Sequence, residues 1–198
     1  MTEQSLFYPI FLDIDNQECL LVGGGDVAFK KAQRLVACGA GVIAVSPEFV
    51  PRFEEYFSSE EITLIHGEYQ QYFSSERLQD MLLVIAATGN RQLNEKIASQ
   101  AHRAGVLVNV VDCQPLCDFI MPAVVQRESL QIAISTGGRS PALAARIRRQ
   151  LEQSLSLEMG RDLEKAGEIR QLIKEGIEDP GLRRKILLKL GELIKSGE

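Results

Sequence analysis

Three consecutive glycines follow a short apolar run near the start of the chain, and they constrain the fold more than any other feature. The apolar run is Cys19 to Val22, and residues 23–28 read GGGDVA, a GxGxxA pattern. In such a pattern the first glycine permits a tight turn, the second lets a phosphate group approach the backbone, and the small last residue lets a helix pack closely on a strand. The pattern therefore predicts a strand before the glycines and a helix after them.

The residues that follow complete a strand–helix–strand unit. Apolar side chains at positions 27, 28, 32, 35 and 36 fit one face of a helix that ends near Cys38, and Gly39 is placed to terminate it. The apolar run Val42 to Val45 comes directly afterwards. A strand, a glycine turn, a helix and a second strand within about thirty residues are typical of the βαβ unit of a parallel sheet.

The pattern continues more loosely as far as Cys113. We predict further strands at 7–13, 62–65, 82–87 and 106–111, and a helix over 90–104 that Gly105 closes. Apolar runs without polar alternation are typical of parallel strands that are covered on both faces. The sequence therefore predicts an α/β fold with a Rossmann-like parallel-sheet domain over residues 1–113.

The pattern changes after Cys113. Residues 130–135 alternate like a strand, and Ser140 followed by Pro141 predicts the N-cap and first residue of a helix. Further helical stretches are expected near 161–175 and 182–194. We therefore divide the rest of the chain into a small connecting segment, 114–145, and a helical C-terminal region, 146–198.

Composition excludes several classes of protein. The chain has 198 residues, a net charge of −5, four cysteines and no Trp. No apolar run is long enough for a bilayer and no signal-type segment begins the chain, so we expect a cytoplasmic protein without a membrane partner. No basic stripe or base-stacking aromatic series indicates nucleic acid. The cysteine spacing matches neither a zinc site nor a disulfide framework, and His66 and His102 are expected at the surface, so no metal site is predicted.

The glycine turn predicts a bound dinucleotide, although a purely structural glycine turn remains the alternative. The acidic residue that usually ends the second strand is absent, but Glu48 lies nearby and the first arginine after this strand is Arg52, which favours NAD over NADP. Ligands of open α/β sheets bind at the carboxyl ends of the strands. The predicted cofactor-binding residues are Gly23, Gly24, Gly25, Asp26, Val27, Ser46, Pro47, Glu48, Thr88 and Asn109.

Two of the strand ends admit a second interpretation. Thr88 or Asn90 could serve only to cap the helix that follows. Asp112, which follows the strand at 106–111, is a candidate acid or base, yet aspartates at strand ends often only stabilise turns.

Several strings taken together resemble the precorrin-2 dehydrogenase and sirohydrochlorin ferrochelatase family, which also forms the N-terminal region of siroheme synthases. They are GGGDVA followed by Lys30 and Lys31, AAT at 86–88, NVVD at 109–112, FIMPA at 119–123 and IAISTGGRSPALA at 132–144. The resemblance implies NAD-dependent oxidation of precorrin-2 to sirohydrochlorin, with Asp112 as the central acid or base. In many members of the family a second activity inserts ferrous iron as a substrate.

The resemblance also implies a homodimer that forms through the segment after the nucleotide domain, which makes 114–145 a dimerisation segment. Precorrin-2 carries many carboxylates, and the turn before the helix at Pro141 offers backbone N–H groups and an arginine as an anion site. The predicted substrate-binding residues are Ser135, Thr136, Gly137, Gly138 and Arg139. Another Rossmann oxidoreductase with a different small substrate, or an NAD-binding sensor without turnover, would share the glycine turn.

Overall fold

The computed structural model describes residues 7–58 and 60–193, which form two units. The first unit ends at Ile120 and the second begins at Met121. This division lies farther along the chain than Cys113, because Asp118 remains bonded to the last strand of the first unit: its backbone N–H donates to the Val108 carbonyl over 2.9 Å. The three-part division derived from the sequence stays a prediction.

Five parallel strands form the sheet of the first unit, in the order β3-β2-β1-β4-β5. Four of the five β1 residues and all four β4 residues are buried, as expected for inner strands covered on both faces. The predicted Rossmann-like architecture is thus confirmed. The strands are β1 Glu18–Val22, β2 Gly41–Ser46, β3 Ile62–His66, β4 Leu83–Ala86 and β5 Leu107–Val110.

Two long helices and three short ones connect these strands, and a 3₁₀ turn follows β5. The sequence predicted the long helices α1 and α5 but not the short ones. The helices are α1 Asp26–Ala37, α2 Arg52–Tyr56, α3 Tyr69–Tyr72, α4 Ser75–Leu78 and α5 Arg91–Ala104, and the 3₁₀ turn is Gln114–Leu116.

The ends of the long helices follow the sequence signals. Gly39 follows α1 at φ 78°, and its N–H donates to the Val36 carbonyl over 2.9 Å. Asn90 caps α5 by accepting a hydrogen bond from the Leu93 N–H, and Gly105 ends that helix in the left-handed region. Val27, which was predicted on the same helix face as Ala28, is 48% exposed, because the buried stripe of α1 begins only at Ala28.

The strand predicted over 7–13 does not form. These residues have no regular secondary structure, and Tyr8 and Phe11 are 85% and 69% exposed. Pro9 lies within the run and has no backbone N–H to donate to a ladder, which is why proline rarely occurs inside strands. The apolar composition of this segment indicated a strand, but the segment does not pair with the sheet.

The described residues of the second unit form an antiparallel hairpin and three helices. The hairpin pairs Val125 with Ile132, and Ser140 caps the first helix by accepting a hydrogen bond from the Leu143 N–H. The described residues contain no helix with both the length and the apolar character needed to cross a membrane. The elements are β6 Ala123–Arg127, β7 Leu130–Ile134, α6 Pro141–Ser154, α7 Glu158–Gly176 and α8 Pro180–Leu193.

Candidate functional site

A cleft of about 560 Å³ lies at the carboxyl ends of the inner strands of the first unit. The loops after β1, β2, β3 and β4 form its walls, as expected for the ligand crevice of an open parallel sheet. Val22 and Leu93 line it together with residues 23–25, 45–50, 67–69 and 87–90.

The first two glycines of the turn are required by the packing of the protein itself. A Cβ on Gly23 would collide with the backbone carbonyl of Ala87, and Gly23 has a φ of 130°. A Cβ on Gly24 would collide with the carbonyl of Glu48. The turn is therefore held against the loops that follow β2 and β4, and any side chain at either position would push these loops apart.

Gly25 differs from both of its neighbours. A Cβ there would meet no atom within 4 Å, and its φ of −85° is open to any residue. Gly25 also lines the cleft and precedes α1, whose first turn receives no hydrogen bond from a capping side chain. The protein therefore leaves backbone exposed at the N-terminus of a helix, where N–H groups and the helix dipole attract phosphate. A dinucleotide pyrophosphate fits this cradle.

The loop after β2 forms a second wall of the cleft. Ser46 is buried, and its hydroxyl donates to the Glu48 carbonyl over 2.7 Å, which fixes the bend at Pro47. Arg52, the first arginine after this strand, forms an ion pair with Asp26. Its guanidinium also lies 5.2 Å from the centroid of the Phe29 ring.

The loop after β4 forms a third wall of the cleft, and polar groups at this wall form hydrogen bonds with one another. The Thr88 hydroxyl donates to Asn94 Oδ1 over 2.6 Å, and Asn94 Nδ2 donates to the Thr88 carbonyl over 3.0 Å. Asn90 is the N-cap of α5. Thr88 thus lines the cleft and also fixes the start of the helix.

Not every predicted residue reaches the cleft. Those that line it are Gly23, Gly24, Gly25, Ser46, Pro47, Glu48 and Thr88. Asp26 and Val27 lie outside the lining, and Asn109 is buried with its Nδ2 donating to the Phe119 carbonyl over 2.9 Å. The sequence prediction missed residues 67–69 after β3, although this strand was predicted and its carboxyl end had to reach the same edge.

Asp112 lies just beyond the carboxyl end of β5. Its backbone has a φ of 59°, an unusual value for a residue other than glycine, and its carboxylate is exposed. Burial and the nearby Arg34 lower the pKa of Lys31, whereas Asp112 and Cys117 act to raise it. The Lys31 ammonium therefore lies within electrostatic range of the Asp112 carboxylate. No role was predicted for Lys31 beyond its place in the family-like string.

Cys19 is a buried structural residue, and the two histidines lie at the surface. Burial raises the pKa of the Cys19 thiol to about 11, and Cys19 is fully buried. His66 and His102 have side chains that are 55% and 45% exposed, and they lie 3.7 Å from Glu54 and 3.3 Å from Asp118. Within the described residues, His, Cys, Asp and Glu side chains nowhere form a group of three that could hold a metal ion.

The predicted substrate-binding turn belongs to the second unit. Gly137 and Gly138 both have positive φ values, 62° and 77°. The Gly137 N–H donates to the Ser135 hydroxyl, and the Ser140 N–H donates to the Thr136 hydroxyl, over 3.0 and 3.1 Å. Some of the backbone N–H groups that were expected to bind anions thus stabilise the turn itself.

Comparison with known proteins identifies the family of the first unit. Residues 10–123 match the family model described as "Putative NAD(P)-binding". The chain belongs to this NAD(P)-binding family. Residues 127–154 match a second model, described as "Sirohaem biosynthesis protein central".

Relatives of this NAD(P)-binding chain share its sequence over nearly its whole length. A siroheme synthase of Psychromonas ingrahamii is 39% identical over 93% of the chain, and one of Escherichia coli is 36% identical over 92%. The chain spans only 38% and 39% of the length of these two proteins.

A solved structure shares the fold. That of "SirC, precorrin-2 dehydrogenase" has a TM-score of 0.74 and 22% identity, with 93% of this chain and 89% of that one covered. At this identity the likeness shows the fold alone.

We predict that Gly25→Val weakens NADH binding by about tenfold or more while the melting temperature changes little. The valine side chain would occupy the space for the pyrophosphate, and a hydrogen bond to a charged group contributes about 1.5–3 kcal/mol. Fluorescence titration with NADH measures the affinity, and thermal unfolding measures the stability.

Two further variants serve as controls. Gly24→Ala should lower the melting temperature, because its Cβ collides with the protein, whereas Gly167→Ala in α7 has open space around it and should leave binding unchanged. Unchanged NADH affinity in Gly25→Val would show that the open space is not the pyrophosphate site.

Proposed function

We propose that the protein oxidises precorrin-2 to sirohydrochlorin with NAD in siroheme biosynthesis. The observation that carries the proposal is the pairing of an open phosphate cradle at Gly25 with a carboxylate, Asp112, at the same edge of the sheet. The sequence likeness to siroheme synthases over 93% of the chain supports the choice of substrate.

The cleft residues divide the binding of NAD among them. The backbone of residues 23–25 and the start of α1 bind the pyrophosphate, and Ser46 to Glu48 face the adenosine ribose. Thr88 fixes the wall after β4. NAD, when bound, supplies the acceptor for a hydride.

Asp112 is the proposed proton acceptor. Oxidation of the macrocycle removes a hydride and a proton, and an exposed carboxylate can take the proton. Lys31 lies within electrostatic range of this carboxylate. The turn at 135–139 with Arg139 is the proposed anchor for the carboxylates of the substrate.

A homodimer and a second reaction complete the proposal. The apolar residues 119–123 are only partly buried, and a second copy would cover them. Sedimentation shows whether the chain is a dimer. Ferrous iron is the proposed substrate of an insertion reaction that follows the oxidation.

The decisive assay is anaerobic incubation of the protein with precorrin-2 and NAD, with and without ferrous ion. We expect a change in visible absorbance as the macrocycle is oxidised, together with stoichiometric NADH. A sensor protein would bind NAD without any turnover, and an oxidoreductase for another substrate would leave the tetrapyrrole spectrum unchanged. Either result would contradict the proposal.

We expect NAD to bind more tightly than NADP. Glu48 lines the cleft beside the proposed ribose site, where its charge would repel a 2′-phosphate, and Arg52 is already paired with Asp26. Isothermal titration calorimetry with both nucleotides tests this preference. NADP affinity equal to or higher than that of NAD would contradict it.

Asp112→Asn should lower the single-turnover rate by about 10²–10⁴-fold, the range typical of general-base assistance. Asparagine tolerates positive φ values, so the turn and NADH binding should be preserved. Asp80→Asn, which changes an exposed carboxylate of the same unit, serves as the control and should turn over normally. A folded Asp112→Asn variant with a near-normal rate would remove Asp112 from the mechanism.

A further inference from the structure

The last strand of the sheet is covered by a loop instead of a sixth strand. Within the described residues β5 pairs with β4 on one side only. On its other side, the Val108 N–H donates to Asp118 Oδ2 over 2.9 Å, and the Val110 N–H donates to Cys117 Sγ over 3.1 Å. Two side chains of residues 117–119 thus accept the hydrogen bonds that a neighbouring strand would accept.

Cys117 accepts a hydrogen bond from Val110 and can return one. Its Sγ accepts the Val110 N–H and lies 3.3 Å from the carbonyl oxygens of both Val110 and Cys113, and its one S–H can donate to either of them. Burial raises the pKa of Cys117, so the sulfur keeps the proton that it donates. This exchange resembles the paired N–H and C=O bonds of two residues in an antiparallel ladder.

The turn that contains Asp112 lies between Val110 and Cys117 in the chain. The Cys113 N–H donates to the Val110 carbonyl over 3.2 Å, and Asp112 between them has a φ of 59°. A left-handed conformation at a residue other than glycine persists only where the surrounding contacts impose it. The bonds between Cys117 and Val110 hold the first end of the turn in place.

We propose that Cys117 is a positioning residue for Asp112, which it orients by anchoring Val110 through the thiol. The proposal rests on the role of Asp112 given above.

The test compares Cys117→Ala with Cys117→Ser in the 198-residue chain. Serine can accept the Val110 N–H and donate to its carbonyl, whereas alanine can do neither. Cys113→Ala is the matched control, because it removes a thiol from the same loop that is not bonded to Val110. The carbon-13 NMR signal of the Asp112 carboxyl group is followed during an acid titration of each variant, and kcat and KM are measured with precorrin-2.

We expect the Asp112 titration midpoint to move in Cys117→Ala, and to stay at its wild-type value in Cys117→Ser and Cys113→Ala. In Cys117→Ala, kcat should fall about 10- to 100-fold, the range that a misplaced catalytic group produces, with little change in KM or in NADH affinity. A titration curve that is unchanged in Cys117→Ala would overturn the proposal, even if that variant melts at a lower temperature.

Failure of the proposed function gives a different result. If the wild-type protein does not oxidise precorrin-2, the NMR titration still decides whether Cys117 controls the environment of Asp112. If the wild-type protein is active and Cys117→Ala retains its full kcat, the positioning role is wrong and the proposed function stands.

Discussion

The pairing of β1 with both of its neighbours determines where the candidate site lies. Val22 is in register with Val45 of β2 and with Ala86 of β4, and Ala86 is in turn in register with Val110 of β5. Four strands therefore end at one level, and the loops that follow them meet at a single edge. A shift of register in any of these strands would separate the glycine turn from the other cleft walls.

The three glycines of the turn respond to different constraints. Gly23 and Gly24 allow the turn to pack against the backbone of the loops after β4 and β2, so the protein requires them whether or not a ligand binds. Gly25 is free of such contacts. A bound group that approaches the backbone would account for its lack of a side chain, and this makes Gly25 the most informative residue of the motif.

Much of the first unit could be predicted because its signals are local. The apolar runs of β1 and β4, the glycine turn and the caps of α5 each depend on a few neighbouring residues. The strand expected at 7–13 was wrong because apolar composition does not show whether a segment finds a partner in the sheet. Asn109 was assigned to the cofactor because it lies near the strand end, and the sequence did not indicate that its amide Nδ2 donates to the Phe119 carbonyl.

The cover over β5 could not be predicted at all. It depends on a thiol and a carboxylate that return to the strand after a turn, and nothing in the spacing of Cys117 and Asp118 indicates this return. The same holds for Lys31, which comes close to Asp112 only through the fold. Residues that act on a site from separate elements leave no local pattern in the sequence.

The central claim is that one sheet edge binds the dinucleotide, and hydrogen–deuterium exchange with and without NAD tests it most directly. Binding should slow the exchange of backbone amides at 23–28, where the glycine turn leads into α1, and at 46–50 and 87–90. Protection confined to the helices after Pro141, or no protection at the glycine turn when the cleft is saturated with NAD, would contradict the account.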